Sequence, residues 1–388
     1  MQAIATRIKV ENMQDATEEV KKYSNSNIQQ DKVNQEVPSR EVRSIKDLHS
    51  FSSEELVALA ADFKQPKFRA TQLEEWIWGK NAQNFDEMTN LPKSFRSTLA
   101  QHYTLNRAYE IARQESSDGS RKYLLRFSDG IAVECVGLPS KNRLSVCVST
   151  QAGCAMNCSF CSTGTLGFIR SLSAGEIYEQ VMHVQNDFAT RVTGVVTMGQ
   201  GEPFMNYDST LSALRRFNSP SPTGAGIGAR HLTVSTSGII PMIYRFAKEP
   251  EQFTLAVSLH SAVQRTRNVL MPGVKRYSLK HLYEAMENYV EKTNRRPSYE
   301  YALIKGINDT DEELDALCDF CRGKLSHINL IRLNMVAGSR YQPTPNARVE
   351  EFARSLERSG IETTIRKSRG EDIEAACGQL HKSYISKF

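Results

Sequence analysis

The sequence predicts an α/β fold. A parallel sheet, open or curled into a barrel, carries its helices outside and follows a small helical domain and a short β-meander. Three observations predict it. Beyond Cys161, six short apolar runs (194–198, 231–236, 254–259, 298–303, 328–333 and 362–366) alternate with stretches of helical period such as 174–188 and 279–293. That is the pattern of repeated βα units. Between 109 and 150 the apolar period is two, punctuated by the turn dipeptides Asp118-Gly119 and Asp129-Gly130. The chain has 388 residues, beyond the roughly 250–300 at which a single core stops growing, so more than one domain is expected.

In chain order, residues 1–43 are polar and nearly charge-balanced, with Tyr23 as their one aromatic. Such a segment cannot bury enough apolar surface to offset the entropy of ordering, and a disordered tail is expected. Residues 44–107 are expected to form a helical accessory domain. Ser52 and Glu55 make a capping box ahead of Leu56, Leu59 and Phe63. Phe68, Leu73, Trp76 and Ile77 recur at helical spacing, and Phe85, Met88, Leu91, Phe95 and Leu99 suggest a third helix entered near Pro92. Lys64, Lys67, Arg69, Lys80, Lys93 and Arg96 lie between them, as the solvated face of a bundle or as a surface turned to nucleic acid. Over 108–150, Tyr123, Leu125 and Phe127 alternate with polar residues, and the runs 131–136 and 144–148 complete an antiparallel β-meander. Residues 151–388 are expected to hold the parallel sheet.

Composition excludes several classes. With 40% hydrophobic and 24% charged residues, the chain reads as an ordinary soluble globular protein. No apolar run approaches the ~18 residues of a membrane span. The first ten residues lack the apolar segment of a secretory signal, and Glu11, Asp15, Glu18 and Glu19 put acid where organelle transit peptides avoid it. A cytoplasmic monomer is expected, with no membrane partner. A net charge of +5 permits a nucleic-acid partner without requiring one. Eight cysteines in a long chain without an export signal point to metal or redox chemistry rather than a disulfide framework.

The strongest motif is Cys154-x3-Cys158-x2-Cys161. Three thiolates with no fourth ligand nearby in sequence suit a 4Fe–4S cluster whose remaining iron stays open to a substrate or cofactor. A zinc site completed by a remote histidine is the other reading. Barrel enzymes place working groups at the C-terminal ends of strands, and polar groups gather there. Gly199-Gln200-Gly201-Glu202-Pro203 follows one run, Ser235-Thr236-Ser237-Gly238 ends another, Ser258-Leu259-His260 ends a third, and Asn334 lies just past a fourth. Gly201, Glu202, Ser235, Ser258, Leu259, His260 and Asn334 are therefore candidates for a cofactor cradle. The glycines let backbone approach a ligand closely, and Glu202 can accept from an amino group. Cys318 and Cys321, on a helical run, read as core thiols, and Cys135 as structural.

The cysteine motif, with Phe160 before its third cysteine, resembles the cluster signature of the radical S-adenosylmethionine (SAM) superfamily. That resemblance implies a partial (β/α)6 barrel, a 4Fe–4S cluster on Cys154, Cys158 and Cys161, and SAM chelated by the open iron and cleaved to a 5′-deoxyadenosyl radical. From 68 to 380 the sequence also resembles the RlmN/Cfr family of RNA adenosine methyltransferases. The resemblance is carried by Phe68-Arg-Ala-Thr-Gln-Leu73, Asn84-Phe-Asp-Glu-Met-Thr89, Val146-Cys-Val-Ser-Thr-Gln-Ala-Gly-Cys154, Gly199-Gln-Gly-Glu-Pro203, Val234-Ser-Thr-Ser-Gly238 and the stretch Arg366 to Leu380 that contains Ala375-Ala-Cys-Gly-Gln379. The family resemblance implies three catalytic residues. Cys377 takes a methyl group from a first SAM, for which a thiolate is the competent nucleophile. A second SAM in the same turnover activates that methyl group for attack on the adenine ring. Glu134 removes the ring proton, and Cys147 resolves the covalent adduct as a disulfide, by the logic of thiol–disulfide exchange. The implied partners are 23S rRNA at the peptidyl-transferase centre, tRNA next to the anticodon, and a flavodoxin-like electron donor.

Two features depart from the family pattern. Gln200 stands where methionine is usual, and Arg332-Leu333 precede Asn334 where a proline and an aromatic are common. Methylation at C8, as in Cfr, is an alternative to C2, and a zinc-stabilised RNA-binding protein without catalysis is an alternative of another class. Arg332, Arg340, Arg348, Arg366, Lys367 and Arg369 are expected as a phosphate-binding rim, around a pocket that a target base reaches only when splayed from its stack.

Overall fold

A computed structural model describes residues 46–105, 107–336 and 338–380; the tail expected over 1–43 lies outside them. Two short strands, β1 (Lys46–Asp47) and β2 (Tyr103–Thr104), pair in parallel. Four more follow: β3 (Tyr109–Glu115), β4 (Arg121–Arg126), β5 (Ala132–Ser140) and β6 (Arg143–Cys147). A separate hairpin of β7 (Gln151–Gly153) and β8 (Phe168–Ser171) precedes β9 (Gly194–Thr197), β10 (Leu232–Thr236), β11 (Thr254–Ser258), β12 (Ser298–Leu303), β13 (His327–Arg332) and β14 (Thr363–Arg366). One ten-stranded sheet runs in the order β14-β13-β12-β11-β10-β9-β6-β5-β4-β3. From β6 to β14 its neighbours are parallel, and from β3 to β6 antiparallel. All six expected runs form strands, each within one residue of the expected ends.

The meander and the parallel sheet share a strand. Cys147 on β6 pairs with Val136 of antiparallel β5 on one side and with Val196 of parallel β9 on the other. Hydrogen bonding therefore continues through residue 150 without a break in the sheet. The turns that fold the meander are the expected ones, with Gly119 and Gly130 at φ 81° and 86°, where an L side chain is strained.

The helices are α1 (Ser53–Asp62), α2 (Phe68–Glu74), α3 (Lys93–His102), α4 (Ala174–Phe188), α5 (Tyr207–Asn218), α6 (Ile240–Phe246), α7 (Gln264–Leu270), α8 (Leu279–Thr293), α9 (Asp311–Cys321) and α10 (Asn346–Arg358). None among the described residues is long and apolar enough to cross a membrane. Ser52 and Glu55 form the expected reciprocal capping box of α1, and Ser173 and Glu176 form another at α4. The third accessory helix is shorter than its apolar pattern suggests. Phe85–Glu87 is a single 3-10 turn capped by Asn84, and α3 starts only at Lys93. Pro92 disfavours helical backbone at Leu91 before it, so Met88 and Leu91 reach the core from a loop. Cys135, Cys318 and Cys321 are buried in the core, as their apolar settings suggest.

The helical segment seats on α4 through buried polar contacts. Tyr178 Oη donates to the Trp78 carbonyl, and the two rings meet edge to face at 4.9 Å. The Arg107 guanidinium donates to Glu179, to the Ala82 carbonyl and to Asn81 Oδ1. Glu179 is almost fully buried, so Arg107→Ala strands a carboxylate in the core. Removing one partner of a buried pair costs about 3–5 kcal/mol. Urea unfolding should show a loss of that size, and a loss below ~1 kcal/mol would show that the junction does not depend on the pair.

Candidate active site

A cavity opens at the C-terminal ends of the parallel strands. Of the residues expected there, Cys154, Cys158, Cys161, Gly201, Glu202, Ser235, Ser258, His260, Asn334 and Cys377 line it. Leu259 does not; it is fully buried, and its N–H donates to the Glu300 carbonyl. Gly201 has φ 101°, and a Cβ there would lie 2.6 Å from Gln151, so only glycine fits the turn. His260 also takes a left-handed backbone, φ 55°, an uncommon state that clusters at functional sites. Its ring meets Phe160 edge to face at 4.8 Å, and its Nδ1 accepts the Ala302 N–H at 3.0 Å.

Cys154, Cys158 and Cys161 of one loop line this cavity together. Among the described residues no three His, Cys, Asp or Glu side chains are gathered tightly enough to hold a single ion. A four-iron cube binds each thiolate through a different iron, and three thiolates leave its fourth iron open. A tetrahedral zinc site needs four ligands about 2.0–2.3 Å from one ion, and the three loop thiols leave it one ligand short. His260 is no substitute ligand. Burial pushes its pKa down to about 3, and with Nδ1 accepting from an amide, Nε2 of the neutral ring carries the proton. Burial raises the thiols of Cys154, to about 12, and Cys158, which disfavours bare thiolates.

Two buried charges flank the lobe without an opposite charge paired to them among the described residues. Arg267, 1% exposed, donates to the carbonyls of Ser237 (2.7 Å) and Ser258 (3.4 Å). Burial lowers its pKa to about 10, while the nearby Cys158 works the other way. Glu202 accepts from the Phe204 N–H (3.0 Å), Thr236 Oγ1 (2.7 Å) and the Ser237 N–H (2.7 Å). Burial raises its carboxyl pKa against those hydrogen bonds. A cluster ligated by three thiolates would supply negative charge near Arg267, and the cationic groups of SAM would supply positive charge for Glu202. Ser237 Oγ, buried and without a protein partner, faces the same guest. The donor set fits both groups.

Beyond β14 the chain crosses the sheet as a strap and is clasped at both ends. Arg369 Nε donates to Asp118 Oδ2 (2.6 Å), and the Gly370 N–H donates to the same oxygen (3.2 Å). Ser116 Oγ donates to Asp372 (2.5 Å), and Lys122 Nζ to the Glu374 carbonyl (3.1 Å). Burial opposes ionisation of Asp118, but bonds from Ser120, Arg369 and Gly370 outweigh it and hold the carboxyl well below the usual range. At the far end the Ser162 N–H of the cysteine loop donates to the Gly378 carbonyl (2.8 Å), and Gln379 Nε2 to the Met335 carbonyl (2.7 Å). Asn334, expected as a cofactor contact, has its amide on the strap: Nδ2 donates to the Cys377 carbonyl (3.0 Å), and Oδ1 accepts from Ser368 Oγ (2.6 Å).

The strap brings Cys377 to Cys147. A second, smaller cavity is lined by both thiols and Arg366, and shares Met198, Ile331, Asn334 and Cys377 with the first. Of the eight cysteines Cys377 alone is exposed. It faces the cavity with protein around it, so burial raises its pKa while the Arg366 guanidinium works to lower it. Burial raises Cys147 to about 12. Arg366 is fixed by Glu300 at 3.0 Å. Glu134 lines neither cavity. It is fully buried beneath the strap, 3.4 Å from Lys122. The expected phosphate rim is largely engaged already: Arg366 with Glu300, Arg369 with Asp118, Arg348 with Asp311 and Glu351. Sequence reasoning missed Arg267, Glu300 and the clasp residues Ser116, Asp118 and Asp372. A lone arginine or acid carries no signal until the fold gives it a partner.

Comparison with known proteins agrees with this geometry. Residues 148–321 match the model of the Radical SAM superfamily, and residues 46–105 that of the "Ribosomal RNA large subunit methyltransferase N-terminal domain". A protein of Geobacillus thermodenitrificans called "Probable dual-specificity RNA methyltransferase RlmN" is 44% identical over 336 residues, 86% of this chain and 92% of its own. A protein of the same name from Staphylococcus epidermidis is 43% identical over 352 residues, 90% of this chain and 95% of its own. The crystal structure of a radical SAM methyltransferase from Sphaerobacter thermophilus superposes with a TM-score of 0.82 at 39% identity, covering 87% of this chain and 99% of that one.

Two outcomes follow from the strap and its thiols. Asp118→Ala removes a charged acceptor whose bonds contribute roughly 1.5–3 kcal/mol each. Amide exchange across 369–380 should speed at least about tenfold, and unchanged exchange would remove Asp118 from the clasp. In metal-free protein, mass spectrometry should show Cys377 alkylated faster than Cys147. Labelling of Cys147 should rise close to tenfold per pH unit between pH 7 and 10, as a pKa of about 12 requires; a plateau near the free-thiol pKa of ~8.5 would contradict its burial.

Proposed function

The chain belongs to the RlmN family of radical SAM methyltransferases, and from that premise we propose that it methylates C2 of adenosine in RNA, carrying the new carbon on Cys377. The proposed substrates are 23S rRNA at the peptidyl-transferase centre and tRNA next to the anticodon, in line with the dual-specificity name of its relatives. The observation that carries the reading is the shared cavity of Cys147 and Cys377, open to the lobe of the three loop cysteines.

Cys154, Cys158 and Cys161 would hold a 4Fe–4S cluster, with Glu202, Ser235, Ser237, Ser258 and His260 around SAM; when bound, these groups supply the electron and the hydrogen-abstracting radical. The remaining roles belong to the chain. Cys377 displaces the methyl group of one SAM: its sulfur gains the S–CH3 bond, the donor's sulfonium–carbon bond breaks, and S-adenosylhomocysteine leaves. Arg366 beside it favours the thiolate that this displacement needs. Once the Cys377 carbon is joined to the adenine ring, a base must take the ring proton. Glu134 is assigned that role. In the closed strap, Lys122 links its carboxylate to the Glu374 carbonyl, so lifting the strap and opening Glu134 to the base are one movement. Cys147, as its thiolate, then attacks the Cys377 sulfur; the sulfur–carbon bond breaks with its electron pair leaving on carbon, that carbon takes a proton to become the methyl group, and a disulfide forms as methyladenosine leaves. Both thiols lie on one small cavity, which makes this a local exchange.

Anaerobic protein with a reconstituted cluster, incubated with SAM and digested, should show one added methyl on the Cys377 peptide and none in Cys377→Ala. With RNA, Cys147→Ala should accumulate a covalent protein–RNA adduct, and the wild type should yield 2-methyladenosine on nucleoside digestion. An unmodified Cys377 in cluster-loaded protein refutes the relay. A product of 8-methyladenosine moves the enzyme to the C8 reaction of the family.

A further inference from the structure

A buried cation stands behind the cavity wall, and no step described above uses its charge. Arg267 lies on α7, and that helix is fastened to the cysteine loop. Three residues further on, the Leu270 carbonyl accepts the Ser159 N–H (2.9 Å), and the Gly273 N–H donates to the Met156 carbonyl (3.0 Å). Contact there leaves no slack: a Cβ on Gly273 would lie 2.6 Å from the Met156 backbone. Arg267 Nη2 also reaches the sheet. It donates to the carbonyl of Ser237, just past β10, and at longer range to that of Ser258, which ends β11. Both serines line the cavity; Arg267 does not. A Cβ on Gly238 would lie 3.1 Å from the same Nη2, so a glycine there leaves room for the guanidinium.

Hydrogen bonding does not account for the charge. A carbonyl needs a donor, and a neutral amide supplies one without the cost of burying an ion. Arginine is almost never fully buried unless paired. Yet no carboxylate is paired with Arg267 among the described residues, and its Nε is buried without a hydrogen-bond partner. What its charge acts on is the site. The guanidinium and the Cys158 thiol each favour the other's charged form, and the guanidinium works against protonation of His260. Burial lowers the Arg267 pKa only to about 10, so the cation persists at neutral pH. An anion held by the cysteine loop is the counter-charge that such a cation suits.

We propose that Arg267 is a positioning residue that acts through the cysteine loop: its fixed positive charge raises the reduction potential of a 4Fe–4S cluster held by Cys154, Cys158 and Cys161. The inference rests on the reading of that loop as a cluster site. One electron from an external one-electron reductant takes such a cluster from the 2+ to the 1+ state and oxidises the donor by one electron. No bond is made and no proton moves, so the loop simply gains one negative charge. A buried cation behind the loop favours the more negative state. Net charge and burial are among the factors that set a cluster's potential, and away from solvent the attraction is only weakly screened. Arg267 is carried by a helix bonded to the loop backbone and is tied to two strand ends of the cavity wall, so its charge is held in place before the electron arrives.

The test uses full-length protein with a reconstituted cluster and no SAM. Beside the wild type stand Arg267→Lys, which keeps the charge, and two uncharged variants. Arg267→Gln keeps a donor for the carbonyls, and Arg267→Met fills the space with a flexible apolar chain. Dithionite titration with mediators, followed by the electron paramagnetic resonance signal of the reduced cluster, gives each midpoint potential. At a fixed potential the ratio of reduced to oxidised cluster should fall at least about tenfold in each uncharged variant, a shift of about 59 mV for one electron. Arg267→Lys should lose less than half of that shift. A side chain that only bridges two strand ends would not move the potential. Uncharged variants with full iron content and the wild-type midpoint therefore overturn the proposal. So does a fall that appears only once SAM is added, which assigns the charge to the SAM carboxylate. Iron uptake by Arg267→Lys and by neither uncharged variant supports it, since the same charge then decides whether the anionic cluster binds. Loss of iron in all three variants overturns it and leaves Arg267 a packing role. A wild type without any dithionite signal removes the cluster reading itself, and this role with it.

Discussion

Strand β6 is hydrogen-bonded to antiparallel β5 on one edge and to parallel β9 on the other, and the site depends on that double pairing. It fuses the meander to the parallel sheet and fixes Cys147 in register with Val136 and Val196. A slip of one residue would turn every side chain of the strand to the other face and carry Cys147 away from the second cavity. The meander then serves as the landing surface for the strap. Ser116, Asp118 and Lys122, all on or beside β4, receive Asp372, Arg369 and the Glu374 carbonyl. Cys377 is thus positioned by residues some 250 places earlier in the chain.

Charge is arranged in this site as if guests of both signs were expected. Glu202 and Arg267 are buried near one cavity without pairing with each other, and burial alone pushes both toward neutrality. Leaving charges buried without partners is among the more destabilising things a fold can do. Their retention makes physical sense if a cationic guest sits at Glu202 and an anionic one at the loop thiols. The thiols obey the same rule, since burial raises the Cys147 pKa and favours its protonated form. Arg366 is the local counterweight, held by Glu300 and lining one cavity with Cys147 and Cys377.

The strap also explains where two expected residues stand. Asn334 was read as a cofactor contact because it follows a strand end; it lines the cavity, and its amide also holds the Cys377 carbonyl and Ser368. Glu134 was read as a base, and the closed strap covers it with Lys122 as its partner. Both are tied to the segment that bears Cys377, so motion of that segment changes what each can reach.

Much of this protein was legible in one dimension. The six parallel strands appeared as short apolar runs because strands buried on both faces read as continuous hydrophobic stretches. The meander turns were marked by Asp-Gly pairs, and the three loop cysteines by their spacing. Periodicity is a local property, and so are capping boxes such as Ser52 with Glu55. What sequence could not decide was anything set by contact between distant segments. The third accessory helix was overdrawn because Met88 and Leu91 are buried through tertiary packing and not through helix periodicity. Leu259 lies beside the cavity in sequence and outside it in space, because alternate residues of an extended segment face opposite ways. The clasp of Asp118 with Arg369, the hydrogen-bond partners of Arg267 and Glu202, and the meeting of Cys147 with Cys377 exist only once the sheet brings their strands together. Sequence determined which elements form and which chemistry the chain carries; the tertiary structure decided which of those groups meet.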